Sequence, residues 1–235
     1  MQDFAHSFVL AGNLILQADA ALVEIVGLSL QVTATALVVS AAIGLPLGAI
    51  LAIARFPGRM VLVVLSNALM GLPPVVVGLT VYMLLSNAGP LGVLGLLYTP
   101  TAMVIAQSIL ITPIIIALTR QVIADLHQDY SDTFRSMVVP GHTAVAALLW
   151  DARYSLMTVL LAGFGRAIAE VGAVMIVGGN INHVTRVMTT AIALETSKGE
   201  LALALALGIV LLLIAFAVNG SVALLRGAER SLVRV

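Results

Sequence analysis

Long apolar blocks separated by short polar connections make up most of this chain, and the pattern predicts membrane-spanning helices. A helix needs about 20 consecutive, mostly apolar residues to cross the hydrocarbon core of a bilayer. Five blocks reach that length, at residues 25–54, 60–86, about 96–119, about 154–178 and 201–225. Because lipid offers no partner to open backbone groups, the blocks predict an all-α polytopic membrane protein with five core transmembrane helices.

The two ends of the chain do not predict spans. Residues 7–17 are apolar but too short to cross, so they predict a short interfacial helix within an N-terminal segment of residues 1–24. Residues 25–225 then form one membrane domain, and residues 226–235 form a polar tail that we expect in the cytoplasm.

Composition supports the membrane assignment. The 235 residues are 61% hydrophobic and 9% charged, with a formal net charge of zero and no cysteine. Since a soluble domain carries about 25% charged residues, an integral membrane protein is predicted. The zero net charge gives no reason to expect a nucleic-acid partner, and the lack of cysteine excludes disulfides and thiolate metal sites.

The sequence motifs of several enzyme classes are absent from this chain. Lys198 is the only lysine and no phosphate-binding P-loop occurs, which excludes a P-loop ATPase. No nucleophile–base pair or metal-ligand motif stands out, so an intramembrane enzyme is not favoured and no metal is expected. The function is therefore sought in transport, with no catalytic residue assigned.

The basic residues predict an orientation, because cytoplasmic loops carry an excess of lysine and arginine. If the first span runs from outside to inside, Arg186 and Lys198 lie outside and Arg166 lies within a span. The others are then cytoplasmic, namely Arg55, Arg59, Arg120, Arg135, Arg153, Arg226, Arg230 and Arg234. We therefore expect the N-terminus outside and the C-terminus inside.

Prolines and glycines mark places where helices break or pack closely. Gly71-Leu-Pro73-Pro74 interrupts the second block, and two adjacent prolines remove two backbone donors. The break is either a structural kink or part of a transport pathway, since freed carbonyls need partners inside a bundle or in water. Glycines are predicted to serve as hinges or close-packing positions at Gly44, Gly48, Gly71, Gly78, Gly163, Gly165 and Gly172.

Arg166 and Glu170 are the only charged residues within the five predicted spans. Four residues apart on one helix, they share a face and are able to pair. Charges at membrane depth are costly and need a partner or water. The pair either locks helix packing or lines the pathway and its gate.

Residues 120–153, termed the polar segment below, form the longest polar interruption. The sequence predicts a first short helix that starts at a Ser131 or Asp132 cap, a break at Pro140-Gly141, and a second helix that ends near Trp150. A structureless surface loop is the alternative. A water-exposed segment between two spans is a natural docking place for a soluble motor protein.

The sequence resembles the permease subunits of type I ABC importers over residues 25–225, and within them the tungstate branch, which is related to molybdate and sulfate permeases. The resemblance is carried by the runs GLPPVVVG at 71–78, GPLG at 89–92, GFGRAIAEVGAVMIVGGN at 163–180 and TRVMTTAIALETSKG at 185–199. It implies a homodimer in a prokaryotic inner membrane, two ABC ATPase subunits, and an extracytoplasmic binding protein that delivers an oxyanion. No cofactor is implied on this chain, because ATP and magnesium would bind the ATPase.

The family's ATPase-coupling motif begins Glu-Ala-Ala, with a glycine four positions after the second alanine, and this sequence departs from it. Either Asp132-Thr133-Phe134 takes the place of Glu-Ala-Ala and Val138 that of the glycine, or Arg135 replaces the glutamate and Gly141 is the glycine. By this resemblance those residues, together with Trp150, are expected to contact the ATPase.

The sequence thus predicts an alternating-access permease for an oxyanion, with tungstate first and molybdate or sulfate as alternatives. A channel or secondary transporter that works without an ATPase is the rival class. The polar segment argues against it, because such proteins need no docking surface for a motor.

Overall fold

The computed structural model describes residues 4–232, with side chains described for residues 6–221. That part of the chain forms ten α-helices, one 3-10 turn at Gly92–Leu94 and no β-strand. The helices are α1 Phe4–Leu16, α2 Ala20–Ile53, α3 Arg59–Leu69, α4 Pro74–Leu85, α5 Pro100–Ser136, α6 Gly141–Asp151, α7 Arg153–Ile168, α8 Gly172–Gly178, α9 Met188–Lys198 and α10 Leu201–Leu232.

Helices α2 and α5 form the central pair and run side by side in the same direction. The Ser40 hydroxyl donates to the Ser108 carbonyl at 3.3 Å. Added Cβ atoms at Gly44 and Gly48 would lie 2.7 Å from atoms of Ile115 and Ile116, respectively. Small residues therefore allow the two backbones to approach, as is typical where lipid gives no hydrophobic drive for association. Helix α2 continues through Pro46.

The other predicted packing glycines behave differently from one another. A Cβ at Gly78 would meet the Ala173 backbone at 2.8 Å, and one at Gly172 or Gly163 would approach a neighbouring side chain to 3.0 or 3.2 Å. Gly71 lies in the break between α3 and α4. Gly165 has no atom within 4 Å of an added Cβ within one chain, and its role as a hinge or packing position stays a prediction.

Two of the predicted spans are broken. The second consists of α3 and α4, which meet at 104°. The fourth was predicted as one helix over residues 154–178, and this is wrong, because α7 ends at Ile168 and α8 starts at Gly172. The Glu170 carboxylate accepts the Ala173 N–H and so provides a start for a separate helix.

The number of spans depends on how bent helices are counted. Helices α2, α5 and α10 are each long and apolar enough to cross, and the count reaches five if the bent pairs α3–α4 and α6–α7 each count as one. Helices α6 and α7 meet at 75°. A helical, multi-span membrane protein follows from this.

The predicted first helix of the polar segment does not form as a separate element. Helix α5 runs without interruption from Pro100 to Ser136, so Ser131 and Asp132 lie inside it and cap nothing. The hydroxyl of Ser131 donates to the Gln128 carbonyl instead. The predicted break at Pro140-Gly141 and the second helix, α6, are both present.

Helix α1 packs against the first half of α10 on one side of the bundle. Helix α1 confirms a helix near residues 7–17, and it contacts α10. Its Ala11 is fully buried in a cluster with Ile168, Met188 and Leu207. Placement of α1 in the membrane interface stays a prediction, and of the polar tail only the end of α10, up to Leu232, lies within the described residues.

Candidate functional site

The break between α3 and α4 places open backbone on the surface of the single chain. Pro73 precedes α4 and Pro74 is its first residue, a position where proline's missing N–H is not needed. Gly71 and Pro73 are exposed, and Pro74 is half-buried. Non-helical backbone at membrane depth is tolerated only against protein or water. This face of the chain is therefore unsuited to lipid.

Arg166 and Glu170 form the predicted ion pair, with 2.5 Å between Arg166 Nη1 and Glu170 Oε2. Their surroundings differ, because the Glu170 side chain is 3% exposed and that of Arg166 is 32% exposed. Arg166 lies in the last turn of α7, whereas Glu170 lies in the break that follows. The pair therefore joins the end of one helix to the start of the next rather than two turns of one helix.

Further hydrogen bonds hold the α7–α8 break. The Ala173 N–H donates to Glu170 Oε1 at 3.0 Å, and the Thr189 hydroxyl donates to the Glu170 carbonyl at 2.7 Å. From α5, the Gln107 amide nitrogen donates to the Ala167 carbonyl at 3.1 Å. The Ala167 and Glu170 carbonyls at the break thus have partners, as buried backbone in a membrane protein requires.

The two breaks lie next to each other. An added Cβ at Gly172 would be 3.0 Å from the Val75 side chain and 3.7 Å from the Val75 backbone nitrogen, and Gly78 packs on Ala173. The start of α4 therefore lies against the start of α8, so the structure brings Pro73 and Pro74 close to Glu170. Irregular backbone from two helices and a buried carboxylate meet at one place in the bundle.

At the far end of α5, the tip of the polar segment exposes apolar side chains. Met137 and Val138 are 70% and 84% exposed, and Val138 has a φ of 52°. That left-handed conformation is unusual for a β-branched residue. Gly141 does not share it. Asp132, Thr133 and Arg135 are exposed near this tip.

Aromatic side chains pack against neighbouring side chains along the polar segment. The Phe134 ring stacks against those of His127 and Tyr130, with ring centroids 6.2 Å and 5.8 Å away. Trp150 is 73% exposed, and the Arg153 guanidinium lies 5.2 Å from its ring centroid. A large exposed aromatic held by a cation is typical of a contact surface.

A groove of about 690 Å³ lies between the end of α2, the C-terminal part of α5 and the start of α6. Its charged lining is basic, from Arg55 and Arg135, and His127 also lines it. The aspartates at 125, 129 and 132 lie on another face of α5, since spacings of four and seven residues repeat one face. The segment therefore presents two faces of opposite charge.

No site role was predicted from the sequence for Gln107, Ser29 or Thr189, and no helix was predicted at α9. Gln107, Ser29 and Thr189 are all buried. The Ser29 hydroxyl accepts the Met188 N–H at 2.7 Å and so fixes the start of α9. The sequence did indicate that such residues find partners, because polar side chains inside apolar blocks need them. It does not show which partners they contact. His183, in the segment that precedes α9, pairs with Glu24 at 2.8 Å.

Comparison with known proteins gives a consistent picture. Residues 44–230 match the family described as binding-protein-dependent transport system inner membrane component. A probable anion ABC transporter permease protein of Haloferax volcanii is 42% identical over 205 residues, which is 84% of this chain and 88% of the relative. The tungstate uptake system permease protein TupB of Peptoclostridium acidaminophilum is 39% identical over 219 residues, 93% of this chain and 96% of the relative. The sulfate transport system permease protein CysT of Salmonella typhimurium is more distant, at 28% over 190 residues, 75% of this chain and 68% of the relative.

Proposed function

The chain belongs to the family of inner membrane components of binding-protein-dependent transport systems, and we propose that it is the permease subunit that carries tungstate in an ABC importer. One of these relatives is named as a probable anion permease and another for tungstate uptake. Tungstate is preferred over sulfate because the relative named for tungstate uptake is more similar over more of the chain than the one named for sulfate.

The observation that carries the proposal is the meeting of two helix breaks beside an ion pair whose carboxylate is buried. A pathway needs polar groups and open backbone at membrane depth, and it must bind its cargo weakly enough to release it. The backbone around Pro73 provides the open backbone groups, and the Arg166–Glu170 pair provides the polar side chains. Both lie in one region. Arg166, one third exposed and paired with Glu170 at the α7–α8 break, is suited to a passing dianion.

We infer that two copies of the chain enclose the pathway. The α3–α4 break is open on the surface of one chain, and lipid cannot satisfy it. A second copy that presents the same break across a two-fold axis would enclose the irregular backbone between two protein surfaces. Water would then reach the pathway, and lipid would be excluded from it.

Coupling to ATP hydrolysis is assigned to the polar segment. An ATPase dimer on the cytoplasmic side would contact the exposed tip at Met137 and Val138 together with Trp150. Of the two registers for the coupling motif, we favour the one in which Val138 stands for the glycine, because its φ of 52° suits glycine. Asp132 then takes the place of the glutamate. An extracytoplasmic binding protein would deliver the oxyanion to the opposite end.

The test is uptake by the purified permease with its ATPase and binding protein in proteoliposomes. We expect ATP-dependent accumulation of tungstate, with molybdate as a weaker competitor and sulfate weaker still. Equal competition by sulfate would overturn the tungstate assignment. Uptake that persists without ATP, or without the ATPase, would favour the channel or secondary-transporter class instead.

A further inference from the structure

A small enclosed cavity lies beside the α7–α8 break and does not belong to the groove or to the exposed pathway face. It measures about 10 Å³ and is lined by Ser29, Val32, Thr33, Gln107, Ile168, Glu170, Val187 and Thr189. Five of these eight side chains are polar. A cavity that is polar and of this size has room for one water molecule, which needs roughly 10–15 Å³.

Two polar groups at the cavity lack partners among the described residues. Gln107 is 4% exposed, its amide nitrogen is bonded to the Ala167 carbonyl, and its Oε1 accepts no hydrogen bond. Thr33 is 2% exposed, and no hydrogen bond involves its hydroxyl within residues 6–221. Leaving a buried polar group unpaired is destabilising. Gln107 Oε1 and the Thr33 hydroxyl are therefore two open groups among the residues that line this cavity.

We propose that this cavity is a binding site for a single water molecule that donates to Gln107 Oε1 and accepts from the Thr33 hydroxyl. Its second proton is available to the hydroxyl oxygen of Thr189, a residue that also lines the cavity. The water thus makes three bonds, the usual number for a buried water. It links α2 and α5 to the segment that joins α7 to α8.

A metal cation fits the same cavity poorly. Both carboxylate oxygens of Glu170 are already engaged, one by Arg166 and one by the Ala173 N–H. The local charge is neutral, so no free anionic ligand remains for sodium or another hard cation, which bind oxygen-rich and usually charged sites. A neutral ligand with two donors and two acceptors matches the open groups better.

Two buried threonines provide a matched test. Thr119 is also fully buried with no hydrogen-bond partner for its hydroxyl, but it does not line this cavity. Thr33→Val and Thr119→Val are isosteric changes, to be compared by thermal unfolding of the purified protein. If water binds at the cavity, Thr33→Val lowers Tm by about 2–4 °C through loss of a buried hydrogen bond. Thr119→Val removes only an unpaired hydroxyl and leaves Tm unchanged or higher.

An equal response of the two variants would overturn the proposal, because it would mean that the Thr33 hydroxyl has no partner either. A second measurement is a density map of the wild-type protein that resolves ordered water. We expect a peak about 2.7–3.2 Å from Gln107 Oε1, and a well-resolved cavity without one would refute the site. A Tm that rises when sodium chloride replaces choline chloride would assign the cavity to a cation and contradict the water. None of these outcomes depends on which substrate the protein carries.

Discussion

Arg166 and Glu170 form one ion pair, but their side chains differ in exposure. The expected effect of a substitution on stability therefore differs between the two residues. The carboxylate is buried and also caps α8, whereas the guanidinium is one third exposed. Removing the cation leaves a buried charge without its partner. Removing the carboxylate leaves a cation that water still reaches and deletes the cap of α8.

Arg166→Gln is expected to destabilise the protein by about 1–3 kcal/mol, below the usual cost of breaking a buried pair because water screens the exposed arginine. Tungstate uptake should fall further than the amount of protein inserted in the membrane. Thermal unfolding and uptake per inserted permease measure the two effects. The double variant Arg166→Gln/Glu170→Gln should recover part of the stability but not the uptake.

Lys198→Gln is the matched control, because Lys198 pairs with the buried Glu195 at 2.9 Å, away from both breaks. Its uptake per inserted permease should stay near that of the wild type. If uptake and insertion fall in parallel for Arg166→Gln, the pair only locks packing and is not part of the pathway.

Val138 offers a second test at the level of one residue. A β-branched residue at positive φ costs about 1–3 kcal/mol, and glycine removes that cost while adding about 0.5–1 kcal/mol of chain entropy to the unfolded state. Val138→Gly should therefore leave Tm unchanged or raise it. Val139→Gly, at a half-buried neighbour without positive φ, should lower Tm.

The same position tests the register of the coupling motif. If Val138 occupies the glycine position, Val138→Gly retains ATPase binding and Gly141→Ala is tolerated, since nothing lies within 4 Å of an added Cβ there. Loss of ATPase binding in Gly141→Ala with unchanged folding would favour the other register.

At the scale of elements, the two broken helices are the features that distinguish this bundle from a simple packing of straight spans. The prolines of the α3–α4 break are visible in the sequence, and the break was predicted. The α7–α8 break was not, because residues 154–178 contain no proline, and the buried hydrogen bonds of Glu170 and Gln107 at the break depend on partners that the sequence does not show.

The absence of cysteine makes the α3–α4 break directly testable. Gly71→Cys should react rapidly with a water-soluble thiol reagent, because open backbone at this depth must meet water or protein. Leu213→Cys on α10 is the control, since Leu213 is 58% exposed on an apolar helix face and should react slowly. Equal, slow reaction at both positions would mean that the break is sealed from water.

Long apolar helices could be predicted from the sequence, and their polar extensions could not. Helix α5 loses its apolar character after Arg120, but its backbone bonds continue to Ser136. Ser131 and Asp132 are good cap residues, yet capping depends on whether the preceding turn is already helical. Likewise, residues 188–198 are mixed in polarity and predicted no helix, whereas burial of Met188, Thr190 and Ala191 against neighbouring helices stabilises α9. Tertiary contacts decided both cases.

At the scale of the whole molecule, the distribution of arginine predicts which end of the bundle meets the ATPase. Single cysteines at Met137 and Asn182, both exposed, should react with an impermeant reagent from opposite sides of the membrane. We expect Met137→Cys to be labelled only in inverted vesicles and Asn182→Cys only in intact cells or right-side-out vesicles. Labelling of Met137→Cys from outside would contradict the ATPase assignment, because no nucleotide-driven partner could reach the tip.

The unbroken length of α5 has a mechanical consequence. Its 37 residues, which include Pro113, extend for about 55 Å at roughly 1.5 Å per residue, so one continuous helix joins Gln107 to the exposed tip at Met137 and Val138. A tilt of only about 5° about one end would displace the other by about 5 Å, close to the rise of one helical turn. A modest rotation imposed at the tip would therefore be magnified into a shift large enough to exchange hydrogen-bond partners at the far end.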